Sequence, residues 1–257
     1  QPQLIKKQYI ECIYYWFVRK YQLLSRLRII YYELEKLFNK FVDLNDLEMA
    51  MYVYTPLLYL WNGTSSTFED AKIFNETIDK NLEMIIKKVQ PLIQTKQYSN
   101  TIQNKRIKIG FLQERVMNYS IHNVFQQLLD QIKSNSSAFQ DFEFLIYDLN
   151  WPEQGGSNIT SIKHLEKTGF KYVDLHAECS ESQNDTFYSI VNKSINIFHK
   201  IQNDGVDVLI GIGGRPEYNF LFTNRVAKQQ IYWSHGNSFY DIDGIDSRIS
   251  HFSQSGP

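Results

Sequence analysis

The sequence predicts an α/β protein in which a helical segment, residues 1–98, precedes a doubly wound parallel sheet, residues 105–257. Apolar residues in the first part recur at steps of three and four, which is the period of an amphipathic helix. A polar stretch at 99–105 then separates the two parts. Beyond it, short apolar runs alternate with helical patterns, and such alternation is typical of parallel sheets.

Two or three antiparallel helices are predicted in the helical segment. The second begins near Asn45, is interrupted around Pro56 because proline breaks helices, and ends in a loop at 62–65. Ser66 and Glu69 have the spacing of a capping box, which predicts the start of the third helix. The first and third helices each carry an apolar stripe: Leu23, Leu27, Ile30, Leu34, Leu37 and Phe41, then Ala71, Phe74, Ile78, Ile85, Val89 and Leu92. We expect this bundle to serve packing rather than chemistry.

The second part is predicted to contain six strands. The run 206–212 is almost entirely apolar, as expected for a strand covered by helices on both faces. The longest predicted helix turns Ile190, Ser194, Ile197 and Ile201 inward. The predicted strands are 107–111, 142–149, 171–175, 206–212, 230–234 and 248–252, and the predicted helices are 121–133, 159–167, 187–202 and 219–227.

Composition excludes several classes of protein. The net charge is −1, from 27 basic and 28 acidic side chains, so the basic surplus of a nucleic-acid binder is missing. The two cysteines, Cys12 and Cys179, suit a reducing compartment better than a disulfide scaffold. The longest apolar run, residues 13–18, is too short to span a membrane. We therefore expect a cytoplasmic protein with no membrane span and no nucleic-acid partner.

Three loops after predicted strands draw attention, because parallel sheets bind ligands at the carboxyl ends of their strands. The loop 113–120 leads into a helix whose N-terminus offers backbone donors, and it brings Tyr119 and His122 forward as candidates. An ordinary helix cap explains this loop equally well. The second loop contains Gly213, Gly214 and Arg215 but lacks the third glycine of a dinucleotide fingerprint. It either lets a ligand approach the backbone or forms a tight turn where two domains meet.

The third candidate loop, residues 233–239, places His235 directly after a buried strand. Its imidazole could donate to a diphosphate or accept a proton from a hydroxyl nucleophile, although a structural histidine is the alternative. Short polar side chains surround it in the sequence: Ser234, Asn237 and Ser238. The acidic residues at 241, 243 and 246 lack the spacing of a calcium loop, so we expect a solvated acidic turn and no metal.

The order of these landmarks resembles a known family. The residues Arg106 to Leu112, a polar loop, His122 and the run 142–144 are similar to the opening of the first catalytic lobe of O-linked N-acetylglucosamine transferases. They are equally similar to bacterial cytoplasmic N-glycosyltransferases that glucosylate adhesins. The later matches are 204–210, Gly213-Gly214, Phe220, Arg225 and 230–233. Tyr119 stands where the family has a loop histidine, and Asn237 where it has a proline.

The resemblance implies a GT-B architecture, in which two Rossmann-like lobes face each other across a cleft. It implies inverting transfer from a UDP-sugar, the donor substrate, to a protein or peptide acceptor, without a metal or other cofactor. Residues 105–257 would be the acceptor-side lobe, inactive without a C-terminal lobe from a continuation of the chain or another subunit. The implied catalytic residues are His235, His122 and Tyr119, and the implied substrate-binding residues are Gly213, Gly214, Arg215, Ser234, Asn237 and Ser238.

Two other functions are compatible with the sequence. A non-catalytic interaction module would use the helices and a degenerate transferase lobe to bind a partner protein. A sugar-nucleotide epimerase would share the two-lobed architecture, but we find no acid–base pair suited to proton abstraction. A reading frame that continues past Pro257 into further alternating strands and helices would favour the transferase over the module.

Overall fold

The computed structural model describes residues 2–14, 24–64, 67–90, 93, 106–117, 120–135, 137–150, 156–179, 189–214, 216–234 and 240–250. The helices are α1 Pro2–Tyr14, α2 Leu24–Asp43, α3 Leu47–Thr64, α4 Phe68–Phe74, α5 Lys80–Val89, α6 Ser120–Ser134, α7 Ala138–Asp141, α8 Ile159–Lys167, α9 Leu175–Cys179, α10 Ile190–Asp204 and α11 Pro216–Thr223. The strands are β1 Ile107–Gln113, β2 Phe142–Asp148, β3 Lys171–Asp174, β4 Val208–Ile212, β5 Gln229–Ser234 and β6 Ser247–Ser250. A π-helical turn, Asn75–Asp79, joins α4 to α5.

The six strands form one sheet in the order β3-β2-β1-β4-β5-β6, and every neighbouring pair is parallel. This confirms the predicted parallel sheet and gives it a Rossmann-like strand order. The strand bounds agree with the prediction to within about two residues: β1 extends to Gln113 and β4 begins at Val208. Strand β6 begins at Ser247, and its predicted end at 252 lies outside the described residues.

Side chains from the two faces of the sheet enter two apolar cores. On β1, Phe111 enters one core while the next residue, Leu112, enters the other. Leu145 and Ile146 of β2 divide in the same way, because successive strand residues point to opposite faces. The predicted inward residues of α10, Ile190, Ser194, Ile197 and Ile201, are all buried.

Helix α3 differs from its prediction because it continues unbroken through Pro56 to Thr64. The predicted interruption at Pro56 is therefore wrong. The predicted loop at 62–65 is wrong for residues 62–64, which are helical, and residue 65 lies outside the described residues. Proline inside a helix costs about 3 kcal/mol. Burial of neighbouring side chains offsets that cost, since Tyr54, Leu57 and Leu60 are almost completely buried.

The start of the third predicted helix is shifted by one residue. Thr67 and Asp70 form the capping box: the Asp70 N–H donates to the Thr67 hydroxyl over 3.1 Å, and the Thr67 N–H donates to the Asp70 carboxylate over 3.0 Å. The prediction of Glu69 as the partner is wrong, and Ser66 lies outside the described residues. The sequence fits the capping pattern in both registers, and only the backbone geometry distinguishes them.

The helical segment packs against the sheet part through one continuous core, which includes residues of α2, α3, α5, α10 and α11. A buried carboxylate strengthens this contact. Glu48 of α3 accepts hydrogen bonds from the backbone N–H groups of Ile190 (2.9 Å) and Val191 (3.0 Å), in the first turn of α10. It also pairs with Lys7 of α1. The predicted division into separate domains stays a prediction, since residues 94–105 lie outside the described residues.

Within the part of the chain that the structure describes, no helix combines the length and apolar character needed to cross a membrane.

Candidate functional site

The candidate site lies at the carboxyl edge of the sheet, where the strand order reverses between β1 and β4. These two strands pair in register, so that Gln113 at the end of β1 lies beside Ile212 at the end of β4. Loops that leave such a point diverge and open a crevice, which is where open α/β sheets bind ligands.

Glu114, the residue after β1, lies against the turn after β4. The Gly214 N–H donates a hydrogen bond to its Oε1 over 3.2 Å. Gly213 has φ +108°, and a Cβ on it would lie 2.9 Å from the same oxygen. On the other side of the turn, a Cβ on Gly214 would lie 3.6 Å from Leu58 of α3. The two glycines therefore form a tight turn between the loop after β1 and the helical segment.

The position of Glu114 decides which ligand groups suit this turn. Its carboxylate accepts the hydrogen bond of a backbone N–H that a phosphate would otherwise use, and its negative charge repels an anion. The loop 113–120 also contains no glycine, whereas dinucleotide-binding proteins place their glycine-rich phosphate loop directly after the first strand. The turn thus favours groups that donate hydrogen bonds, such as hydroxyls or amides, over phosphate.

A second polar cluster lies at the ends of β2 and β3. Asp148, which is fully buried, accepts hydrogen bonds from the Tyr172 hydroxyl and from the Asn150 N–H, each over 2.8 Å. The Asn150 side chain donates in turn to Asp174 over 2.7 Å. Burial raises the pKa of Asp148 to about 6, although hydrogen bonds from Ser157, Asn150 and Tyr172 act in the opposite direction.

This cluster is connected to the loop after β1. The Ser157 hydroxyl accepts a hydrogen bond from the Val116 N–H over 2.9 Å, and the Asn158 N–H donates to the Val116 carbonyl over 2.7 Å. The Ser157 N–H also donates to the Asn150 side chain over 2.8 Å. Residues 114–117 are therefore held from both sides, by the cluster around Asp148 and by the Gly213-Gly214 turn.

The structure brings some of the predicted site residues to the same edge. Ser234 ends β5 and is buried, and its neighbour Trp233 pairs in register with Ile212 of β4. Gly213 and Ser234 therefore follow adjacent positions on neighbouring strands. The backbone of His122 lies in the first turn of α6, which follows β1.

The remaining predicted site residues stay predictions. The His122 side chain lies outside the described part of the chain, as do the residues Tyr119, Arg215, His235, Asn237 and Ser238. Sequence reasoning did not assign a role to Glu114 or Asp148, although each is an acidic residue at the carboxyl end of a predicted strand. That position is the signal that could have identified them.

The acidic residues after β5 are not simply solvated. Asp241 pairs with Arg248, and Asp246 pairs with Arg225 over 2.7 Å. Asp243 lies 2.6 Å from the Lys87 ammonium and 3.2 Å from that of Lys80. These two lysines hold the pKa of Asp243 down, at about 2. Among the described residues, no group of three His, Cys, Asp or Glu side chains could hold a metal ion.

Comparison with protein-family models and with curated proteins gives no match for this chain.

Proposed function

We propose that this chain supplies the acceptor-side lobe of a GT-B glycosyltransferase, which transfers a sugar from a UDP-sugar to a protein or peptide acceptor. One observation carries the proposal: the sheet is entirely parallel, in the order β3-β2-β1-β4-β5-β6. The loops after β1, β4 and β5 consequently leave from one edge. These are the loops in which the resemblance to the transferases placed its site residues.

The chemistry of the edge supports an acceptor-side role rather than a nucleotide-binding one. Glu114 presents a carboxylate beside Gly213 and Gly214, where a dinucleotide-binding protein would present free backbone N–H groups. A carboxylate accepts hydrogen bonds from sugar hydroxyls or from a peptide amide. For the same reason an NAD-dependent oxidoreductase, the other common use of this strand order, is disfavoured.

The proposed roles follow the sequence hypothesis. His235 would contact the donor sugar or its diphosphate, with Arg215, Ser234, Asn237 and Ser238 lining the same cleft. Tyr119 and His122 would meet the acceptor, together with Glu114. The diphosphate would be held mainly by a second lobe, and helix N-termini with basic side chains can replace a metal in that role. Both cysteines are free thiols, which suits the proposed cytoplasmic location.

The experiment that tests this proposal is turnover of radiolabelled UDP-sugars by the full-length gene product, with a peptide library as acceptor. Incorporation of label into peptide from at least one UDP-sugar supports the transferase. Failure with every donor, in a protein that does contain a second lobe, would contradict it.

The alternative, a non-catalytic interaction module, is favoured by one observation. Large apolar side chains are exposed on the helical segment, among them Ile5 and Tyr9 on α1 and Ile29 and Tyr32 on α2. The two residues of each pair are three or four positions apart and so lie on one face of their helix, and exposed apolar faces can bind partner proteins. Under this alternative, changes to these side chains would abolish partner binding while the strand-end loops could be changed without effect.

A further inference from the structure

The π-helical turn of the helical segment is hydrogen-bonded to the chain that follows β5. The Asn75 side chain donates from Nδ2 to the Asp241 carbonyl over 3.1 Å and accepts from the Asp241 N–H at Oδ1 over 2.7 Å. The Asn75 side chain thus bonds both the carbonyl and the N–H of Asp241, as a residue of a neighbouring antiparallel strand would. The Asp243 N–H donates to Glu83 of α5 over 3.2 Å. Residues 240–246, hereafter the β5–β6 segment, are thus attached to helices far away in the sequence.

These contacts between the helical segment and the β5–β6 segment are hereafter called the joint. Asp79, at the other end of the π-helical turn, lies within the joint and is only 1% exposed. Its Oδ1 accepts a hydrogen bond from the Tyr54 hydroxyl over 2.8 Å and one from the Asn219 side chain over 3.5 Å. The Tyr240 hydroxyl donates to Asn219 in turn. A buried chain of hydrogen bonds therefore runs from the β5–β6 segment through α11 to Asp79.

The β5–β6 segment also packs closely against α11. A Cβ on Gly244 would lie 1.9 Å from the Phe222 carbonyl oxygen, so the segment rests directly on the backbone of α11. The Gln230 side chain, itself buried, donates to the carbonyls of both Phe222 (2.9 Å) and Gly244 (2.6 Å). The segment is therefore in direct contact with α11, the helix from which Asn219 reaches Asp79.

The groups that face Asp79 do little to neutralise a charge on it. Burial raises the pKa of Asp79 to about 7, and the negative charge of Glu83 adds to this, while Tyr54, Asn219 and Lys80 act in the opposite direction. The Lys80 ammonium contacts Glu83 and Asp243, and that of Lys87 contacts the same two carboxylates. Among the described residues, the ionisable groups that interact with Asp79 are Tyr31 on α2, Tyr54 on α3, Lys80 and Glu83 on α5, and Tyr240 on the β5–β6 segment.

We propose that Asp79 is a proton-dependent latch that fastens the helical segment to the β5–β6 segment. The protonated side chain fits the buried joint as a neutral group. The ionised side chain places a charge there with only neutral hydrogen-bond donors in contact with it, and opening the joint to water relieves that charge. The latch is therefore tightest at low pH and loosens as the pH rises to about 7, above which it stays loose. This inference is independent of the transferase proposal.

The test is hydrogen–deuterium exchange of the full chain at pH 5 and pH 8, converted to protection factors so that the intrinsic pH dependence of exchange is removed. We expect the protection of peptides covering 240–246 to fall about tenfold or more between the two pH values. The comparison that isolates Asp79 is with the Asp79→Asn variant at the same two pH values, because other groups such as Asp148 also change protection through global unfolding.

Two variants separate the latch from general loss of packing. Asp79→Asn keeps an oxygen for Tyr54 and Asn219 but cannot ionise, so we expect equal protection of 240–246 at both pH values. Asp141→Asn, the same change at an exposed position of α7, should behave like the wild type. Tyr54→Phe removes a donor that favours the ionised carboxylate, so the loss of protection should move to higher pH.

Wild-type protection that does not change between pH 5 and pH 8 would overturn the proposal. The same fall in protection in Asp79→Asn as in the wild type would do so as well. If Asp79→Asn does not fold, the direction of the Tyr54→Phe shift decides, since a shift to lower pH contradicts the latch.

Discussion

Gly214 donates its backbone N–H to the carboxylate of Glu114 over 3.2 Å, and this contact joins the loops that follow β1 and β4 at the point where the strand order reverses. Rossmann-like proteins commonly hold phosphates at this point with free backbone donors. Here a carboxylate occupies the place instead. The contact therefore explains both why two glycines follow β4 and why the edge suits ligands that donate hydrogen bonds.

Gly213→Ala should destabilise this turn. The substitution forces an L-residue into φ +108° and places a Cβ 2.9 Å from Glu114 Oε1. We expect the free energy of unfolding, measured by urea titration, to fall by about 1–3 kcal/mol. Gly63→Ala in α3 is the matched control, because its added Cβ would lie in open space with respect to the rest of the described chain. It should be neutral or stabilising by up to about 1 kcal/mol. Equal effects of the two changes would show that the turn is not strained in this way.

Glu48→Ala should be among the most damaging single changes in the helical segment. It leaves Lys7 buried without the carboxylate it pairs with and removes the acceptor of two N–H groups of α10. Breaking a buried ion pair by removing one partner costs about 3–5 kcal/mol. The free energy of unfolding should fall by about that amount in urea titration.

The matched control for Glu48 is Glu33→Ala, which breaks the exposed pair between Glu33 and Lys36 of α2. Exposed pairs contribute only about 0–1 kcal/mol. A loss in Glu48→Ala no greater than in this control would mean that Glu48 does not fasten α3 to α10. Its pKa provides a further check. Burial raises it, but Lys7 and the two backbone donors outweigh burial and hold it below the ordinary value. Its contribution to stability should therefore be lost as the pH falls through that lowered pKa.

Asp148 should make the protein less stable as the pH rises from about 4 to about 6. Its pKa is raised to about 6 in the folded protein, so the folded state binds a proton that the unfolded state has already lost in this range. Stability from this group is present in full below the unfolded pKa and is lost as the pH passes the folded one. The loss amounts to at most about 3 kcal/mol.

Asp148→Asn should remove this contribution. We expect the difference in unfolding free energy between wild type and variant to change between pH 4 and pH 6 and to stay constant from pH 7 to pH 8. Asp141→Asn provides the control at an exposed position. A difference that does not vary with pH would place the folded pKa of Asp148 near its ordinary value.

Much of the fold follows from local sequence patterns. The run from Val208 to Ile212 is apolar without interruption and becomes a strand in the interior of the sheet, and the four inward residues of α10 follow from its helical period. The strand order could not be predicted in this way. It depends on which strands meet across long connections, as when β4 returns to the other side of β1.

The sequence-based predictions that failed in the helical segment did so for identifiable reasons. Proline breaks most helices, but burial of residues such as Leu57 and Leu60 keeps α3 intact across Pro56. The π-helical turn at 75–79 has no simple sequence signature, since its effect is to direct Asn75 and Asp79 toward partners at 219 and 241. Such contacts join residues more than a hundred positions apart, beyond the reach of any local pattern.

The sequence predicted the location of the candidate site better than it predicted which residues form it. Parallel strands directed attention to the loops at one edge, and Gly213, Gly214 and Ser234 do lie there. The role of Glu114 depends on a contact with a residue one hundred positions away, which only the folded chain reveals.

The central claim is tested most directly by measuring UDP-sugar turnover of the full-length gene product beside two histidine variants. His235→Ala should lower the turnover rate by about 100-fold or more, as expected for loss of a group that acts on the reacting atoms. His164→Ala, at an exposed position of α8, should keep the wild-type rate. Turnover that is the same in His235→Ala as in the wild type would contradict the assignment of the site, and no turnover of any UDP-sugar by the wild type would contradict the transferase itself.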